Sequence, residues 1–363
     1  MKLKFLLFTF MLALSWTWVL ASDLSRIILP EGFKIETYAG DVKNARGMAF
    51  GAGGTLFIGS MNEGKVYAVV SKTAKAVVVD EGLHMPVGVA VYKGDLYVAA
   101  VDKILKYADI EKNFRNSPEP VVVSAAFPND TWHGWKFIRF GPDGKLYVPV
   151  GAPCNICLRE EKIFMSITRM NPDGSGLEIF SHGIRNTVGF DWDPLTGYLW
   201  FTENGRDFMG DDMPPDELNC APEKEMHFGF PFLHGMAIKD PEYYEKMPAD
   251  LKPVSAAAEL GAHVAALGMR FYTGKMFPAQ YRNMVFIAEH GSWNRNRKSG
   301  YRITMVKIDG TKASEYKVFA EGWKSGEDAW GRPADVEIAP DGALLVSDDR
   351  AGAVYRIYYT GKK

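Results

Sequence analysis

Cysteine is scarce in this chain of 363 residues, with copies only at Cys154, Cys157 and Cys220. Three thiols cannot build a four-cysteine zinc centre, and Leu158 stands where the C-x-x-C pair would need a histidine for covalent haem attachment. An excess of either charge is also missing. The 42 Lys and Arg stand against 44 Asp and Glu, a net charge of −2, which leaves no electrostatic footprint for nucleic acid. No Ser/Gly-rich or charge-rich linker divides the sequence, so a single domain over 22–363 is expected even though the length would admit two. Long apolar runs are confined to 5–20. Lys2 and Lys4 precede that run, and Val19-Leu20-Ala21 offers small residues ahead of the polar Ser22-Asp23. The segment 1–21 therefore reads as a secretory signal rather than a membrane anchor. The mature protein is expected in a periplasmic or extracellular space, without stable membrane insertion. In that oxidising space two of the three cysteines are expected to form a disulfide, leaving one thiol over.

What the chain has in quantity is turn residues and short apolar strands: 36 Gly, 20 Pro and 47% hydrophobic residues give a turn-rich chain with ample core. Six copies of one unit, an apolar strand, a turn and a second apolar strand, occupy 47–58, 87–98, 137–148, 188–201, 267–287 and 336–346. The clearest places Pro142-Asp143-Gly144 between alternating apolar residues, and Pro340-Asp341-Gly342 repeats it almost letter for letter. Third strands are expected at 65–70, 104–108, 167–171, 303–308 and 354–358, and outer strands at 120–123, 177–180 and 317–320. Four strands repeated six times predict a six-bladed β-propeller. The last unit lacks a fourth strand, while 33–38 is a strand with no blade of its own, so the N-terminal strand is predicted to close the ring.

In a propeller, the loops leading into each first strand and out of each second strand open on one face, because successive strands are antiparallel. The inward loops carry Arg46, His84, His133, His182, Arg185, Asn186, His263, Arg332 and Asp335. The outward loops carry 154–157, 203–206, 289–295 and 348–350. The interval 205–261 is expected to be an elaborated loop on this same face. Its carboxylates, Asp207, Asp211, Asp212, Asp216 and Glu217, suit either a solvated loop or a hard cation with oxygen ligands.

Together these motifs resemble the soluble pyrroloquinoline quinone (PQQ)-dependent sugar dehydrogenases, and within them the sorbosone/aldose dehydrogenase-like branch. The resemblance rests on His133 ahead of 141–148, on 183–189, on 202–205 with 216–219, on 286–295 and on 331–336, and it spans essentially the whole mature chain. It implies that His133 is the base taking a sugar hydroxyl proton, and that Arg185 and Asn186 bond the quinone oxygens. It implies that Arg332 and Arg295 hold cofactor carboxylates, and that the carbonyls of Gly205 and Arg206 bind calcium. Arg206 replaces a family proline. Ala334 stands where glucose-oxidising members carry a second cation, so that contact is expected either to be lost or to be taken over by Arg46 or Arg350. The resemblance also implies a separate electron acceptor, a cytochrome or quinone, and a small sugar substrate.

The residue types suit that chemistry on their own terms. Guanidinium groups bind carboxylates in bidentate fashion, and an imidazole titrates in the range useful to a general base. Each has a plainer reading. His133 lies between Trp132 and Trp135 and would serve as a packed loop histidine. Arg185 would pair with Asp191 or Asp193. His182 and His290 would support the loops, and Asp335 would anchor one. A calcium-dependent lactonase or esterase-type propeller and a non-catalytic binding propeller are the competing functions, since the fold alone supports all three.

Overall fold

The computed structural model describes residues 24–361 with the exception of Thr73. The expected signal segment 1–21 lies outside the described residues. Among those described, no helix is long and apolar enough to cross a membrane.

Six four-stranded antiparallel units surround an axis, as the repeat predicts. The inner and second strands are Ala45–Phe50 and Leu56–Ser60 in blade 1, Gly88–Tyr92 and Asp95–Ala99 in blade 2, and Arg139–Phe140 and Leu146–Val150 in blade 3. They are Phe190–Trp192 and Leu199–Glu203 in blade 4, Ala266–Phe271 and Val285–Glu289 in blade 5, and Pro333–Ile338 and Leu344–Asp348 in blade 6. The second strands are buried on both faces, which is why they read as continuous apolar runs. Blades pack face to face, and each of six apolar clusters joins two neighbours. The most aromatic fills the gap between blades 5 and 6, where Phe33 meets Phe277, Tyr281 and Phe319 edge-on, an arrangement favoured by ring quadrupoles.

Phe33–Ala39 pairs antiparallel with Ala353–Tyr359, from Phe33 opposite Tyr359 to Ala39 opposite Val354, and supplies the outer strand of blade 6. The ring is thus latched by the two ends of the chain. Near the axis, blades approach closely. A Cβ on Gly47 would stand 2.6 Å from the Val87 carbonyl, and one on Gly189 would stand 2.2 Å from the Leu267 carbonyl. Only glycine admits a neighbouring backbone at that distance.

The interval 205–261 differs from the loop expected of it. Pro215–Ala221 is the third strand of blade 4 and Ala258–Ala262 its outer strand. Between them the chain adds Met226–His227 as a parallel fifth strand on blade 3 and folds a small hairpin, Leu233–His234 with Ile238–Lys239. The physical reason for the misreading is that the third strand carries Asp216, Glu217 and Asn219, all buried, so its polar pattern does not look like a strand.

Candidate active site

The loops on one face enclose a cavity of about 260 Å³ whose lining includes Arg46, His133, Arg185, Asn186, Gly205, His263, His290 and Arg332. Leu267 and Trp135 also line it, and they pack with Val188 and Ala334 in a small apolar cluster. Of the seven residues given roles by the resemblance, five line this cavity and two do not.

His133 follows the outer strand of blade 2 and leads into blade 3. Its φ of 51° lies in the left-handed region, a conformation that costs a non-glycine residue about 1–3 kcal/mol and persists where the surroundings enforce it. The enforcing contact is a hydrogen bond of 2.8 Å between Nδ1 and the Ala152 carbonyl. A carbonyl only accepts, so Nδ1 carries the proton and Nε2 keeps its lone pair. Burial, reinforced by the Arg185 charge, lowers the imidazole to about 3, so the ring is neutral at neutral pH.

Arg185 is buried. Its Nε donates to the Asn155 carbonyl at 2.8 Å, Nη1 to the Asn204 carbonyl at 3.2 Å, and Nη2 to Asn155 Oδ1 at 2.9 Å and Asp207 Oδ2 at 3.1 Å. A guanidinium has five N–H hydrogens, so one on Nη1 is left for a ligand. The ion pair is with Asp207. Asp191 instead faces Arg139 and Asp193 closes a turn with Leu195 and Thr196. Beneath Arg185 and Asn186, Glu203 Oε1 accepts both their backbone N–H groups. Glu203 sits opposite Glu217 in register. Burial raises both carboxyls: Glu203, with the Glu217 charge adding to the effect, well above the usual carboxylate range, and Glu217, with Asp216 and Glu259 adding, to about 7.

Arg332 donates to two carbonyls, of His290 at 3.2 Å and Gly291 at 2.7 Å, and its guanidinium lies 5.6 Å from the Tyr301 ring centroid. Among the described residues no carboxylate pairs with it. Arg46 lines the cavity as well, paired with Asp349 at 2.6 Å. The same carboxylate accepts His290 Nε2 at 3.0 Å, so burial lowers His290 to about 4 while Asp349 opposes the shift. Arg350, the other residue expected to replace a second cation at Ala334, is not part of the lining.

Arg295 departs from the expected site. It pairs with Asp212 at 2.6 Å on the rim, while its neighbours Trp293 and Asn294 line the cavity. The guanidinium of Arg206 turns away to Asp240 at 2.7 Å and Glu242 at 2.8 Å, which leaves the role expected of its carbonyl untouched. The carbonyls of Gly205 and Arg206 accept no hydrogen bond among the described residues. The acidic residues of 207–217 disperse rather than converge. Asp207 faces Arg185, Asp212 faces Arg295, and Asp216 accepts the backbone N–H groups of Gly205 and Ala266. Among the described residues no group of three or more His, Cys, Asp or Glu is placed to hold a metal ion.

His182 pairs with Glu225 outside the cavity, and Asp335 anchors blade 6 to the Met48 N–H of blade 1 at 2.9 Å. Cys154 and Cys157 are joined by a disulfide and Cys220 is a buried free thiol. Sequence reasoning gave no role to Asn155 or Asp207 in holding Arg185. The one signal pointing there was the C-x-x-C pair in an outward loop.

In sequence, the chain is 36% identical over 352 residues to an uncharacterized protein of Borreliella burgdorferi, covering 92% of this chain and 91% of that one. It is 27% identical over 190 residues to the aldose sugar dehydrogenase YliI of Escherichia coli, covering 51% of this chain and 44% of that one. In structure, it resembles the PQQ domain of pyranose dehydrogenase from Coprinopsis cinerea, with a TM-score of 0.74 at 16% identity over 92% of this chain and 97% of that one. It also resembles the PQQ-bound aldose sugar dehydrogenase of Streptomyces coelicolor, with a TM-score of 0.68 at 20% identity over 91% and 99%. These structural likenesses establish a shared fold. Residues 71–354 match the model of DUF7133, a domain of unknown function, and the chain belongs to that family.

Proposed function

We propose that the protein is a sugar dehydrogenase, a PQQ- and calcium-dependent oxidoreductase acting on an aldose or a sorbosone-like sugar in a periplasmic or extracellular space. The observation that carries this reading is the convergence of His133, Arg185, Asn186 and Arg332 on one cavity, with no carboxylate paired to Arg332 among the described residues. The names of the Escherichia coli relative and of the structural neighbours point the same way.

The residues present fit a flat tricarboxylate quinone. Arg332, unpaired by any carboxylate, and Arg46 would hold its carboxylates, because planar guanidinium groups match them in bidentate fashion. The remaining Nη1 hydrogen of Arg185 and the Asn186 amide would meet the quinone oxygens. The unengaged carbonyls of Gly205 and Arg206 would contribute oxygen ligands to calcium. When bound, the quinone would supply a hydride acceptor and calcium a Lewis acid against it. His133 Nε2 would take the proton of the substrate hydroxyl whose carbon gives up the hydride. Because Nδ1 is fixed on Ala152, the ring presents this nitrogen without a tautomer change. Trp293, 69% exposed and edge-on to Phe208 at 6.0 Å, offers an apolar wall for a sugar ring at the mouth. A separate acceptor, a cytochrome or quinone, would take up the electrons.

The hydrolase alternative needs acidic side chains from several blades gathered on a metal, and the described residues contain no such group. The test is to add PQQ and calcium to the purified protein and follow the quinone absorbance. Bleaching by an aldose with reduction of an added dye supports the reading. A wild-type protein that does not bind PQQ overturns it.

A further inference from the structure

We infer that Asn155, held in the loop closed by the Cys154–Cys157 disulfide, is the positioning residue that sets Arg185 in the cavity. The inference rests on the proposed function for the identity of the ligand, but not for the placement of Arg185.

Two of the four hydrogen bonds made by the Arg185 guanidinium end on Asn155, one on its carbonyl at 2.8 Å and one on Oδ1 at 2.9 Å. The counterion depends on the same residue. Asn155 Oδ1 accepts the Asp207 N–H at 2.8 Å, and Asn155 Nδ2 donates to the Asp207 carbonyl at 3.1 Å. Asp207 is steadied further by Asn294 at 2.6 Å, yet its backbone is fixed by Asn155. One amide side chain therefore orients both the cation and the carboxylate that faces it.

Holding a main-chain carbonyl and a side-chain oxygen on one guanidinium requires the backbone and the χ angles of Asn155 to be set together. A free loop would lose that order to conformational entropy. The disulfide closes the chain around Asn155 and Ile156 over a separation of 3 residues, and Cys154, Ile156 and Cys157 pack on the apolar cluster between blades 2 and 3. The covalent link thus restrains the loop in blade 3 that reaches across to Arg185 and to Asp207 beyond blade 4's second strand.

The test uses the purified protein with Asn155→Ala, Asn155→Asp and a Cys154→Ser/Cys157→Ser double variant. Crystal structures without added PQQ locate Arg185, quenching of Trp135 and Trp293 fluorescence reports PQQ affinity, and thermal unfolding reports stability. In Asn155→Ala the guanidinium should leave the Asn204 carbonyl, and PQQ affinity should fall about 10-fold or more, the scale of a lost hydrogen bond to a charged group. The thermal midpoint should stay close to wild type. Asn155→Asp keeps the oxygen acceptor and should restore most of the affinity, which a merely structural role would not predict. An Asn155→Ala protein with Arg185 in place and wild-type affinity overturns the inference. If Asn155→Ala does not fold, the double serine variant decides by the same readouts. If the wild type does not bind PQQ, the proposed function fails, and the position of Arg185 in the crystals alone decides this inference.

Discussion

A side-chain carbon at Gly151 would stand 2.6 Å from Cβ of His133 and 3.1 Å from the Arg185 carbonyl. The second strand of blade 3 therefore ends under both residues with no room to spare. Gly151→Ala should destabilise the fold by about 1–3 kcal/mol, the usual cost of overpacking, and should shift His133 off the Ala152 carbonyl. Denaturant unfolding and a crystal structure of the variant check both effects. An unchanged His133 with full stability would contradict the close approach.

His133→Ala should leave PQQ binding nearly intact and lower turnover by about 10²–10⁴-fold, the contribution typical of a positioned general base. Titrating PQQ in saturating calcium and then measuring sugar-dependent dye reduction separates the two quantities. Full activity in this variant would remove His133 from the mechanism.

Arg332→Ala should act in the opposite order. The guanidinium is held by carbonyls and forms no ion pair among the described residues, so its loss removes a charge-assisted contact to an anionic ligand. PQQ affinity should fall by about 10-fold or more, while turnover at saturating cofactor changes less.

The buried imidazole of His133 also predicts a pH dependence. Its folded value of about 3 lies below the ordinary imidazole value of 6.5, so between these the unfolded chain holds the extra proton and stability rises with pH. This contribution is fully favourable above pH 6.5 and is lost as the solution is acidified toward 3. Each unit corresponds to about 1.4 kcal/mol, so wild type should lose about 2.5 kcal/mol more than His133→Ala between pH 7 and pH 4.5. Unfolding curves of the two proteins at both values measure it. Equal losses would show that the ring is solvated.

The blades were legible because a hairpin is a local event: alternating apolar residues and a Pro-Asp-Gly turn specify it within about a dozen residues. The latch was legible by elimination, a strand without a blade and a blade without a strand. Pro215–Ala221 was not, since its buried Asp216, Glu217 and Asn219 break the apolar pattern and its outer partner is displaced to Ala258–Ala262 by the added hairpin. The cavity could be assigned to one face from strand direction alone, which placed His133, Arg185, Asn186 and Arg332 together. Loop reach could not be read. Arg295 and Trp293 are two residues apart, yet one turns to the Asp212 carboxylate while the other lines the cavity. Asn155 was silent because its partners lie 30 and 52 positions away.

Arg46 belongs to the first blade and Arg332 to the last, and the pairing of Phe33–Ala39 with Ala353–Tyr359 completes the blade that brings Arg332 beside Arg46. The earliest strand in the sequence must therefore wait for the final one, across a span of some 320 residues, before the cavity has a complete lining. Such a long-range closure is slow relative to hairpin formation. An incomplete chain can fold blades without possessing a site, and loss of the last strand at either end of the sequence should abolish cofactor binding while leaving most of the sheet intact.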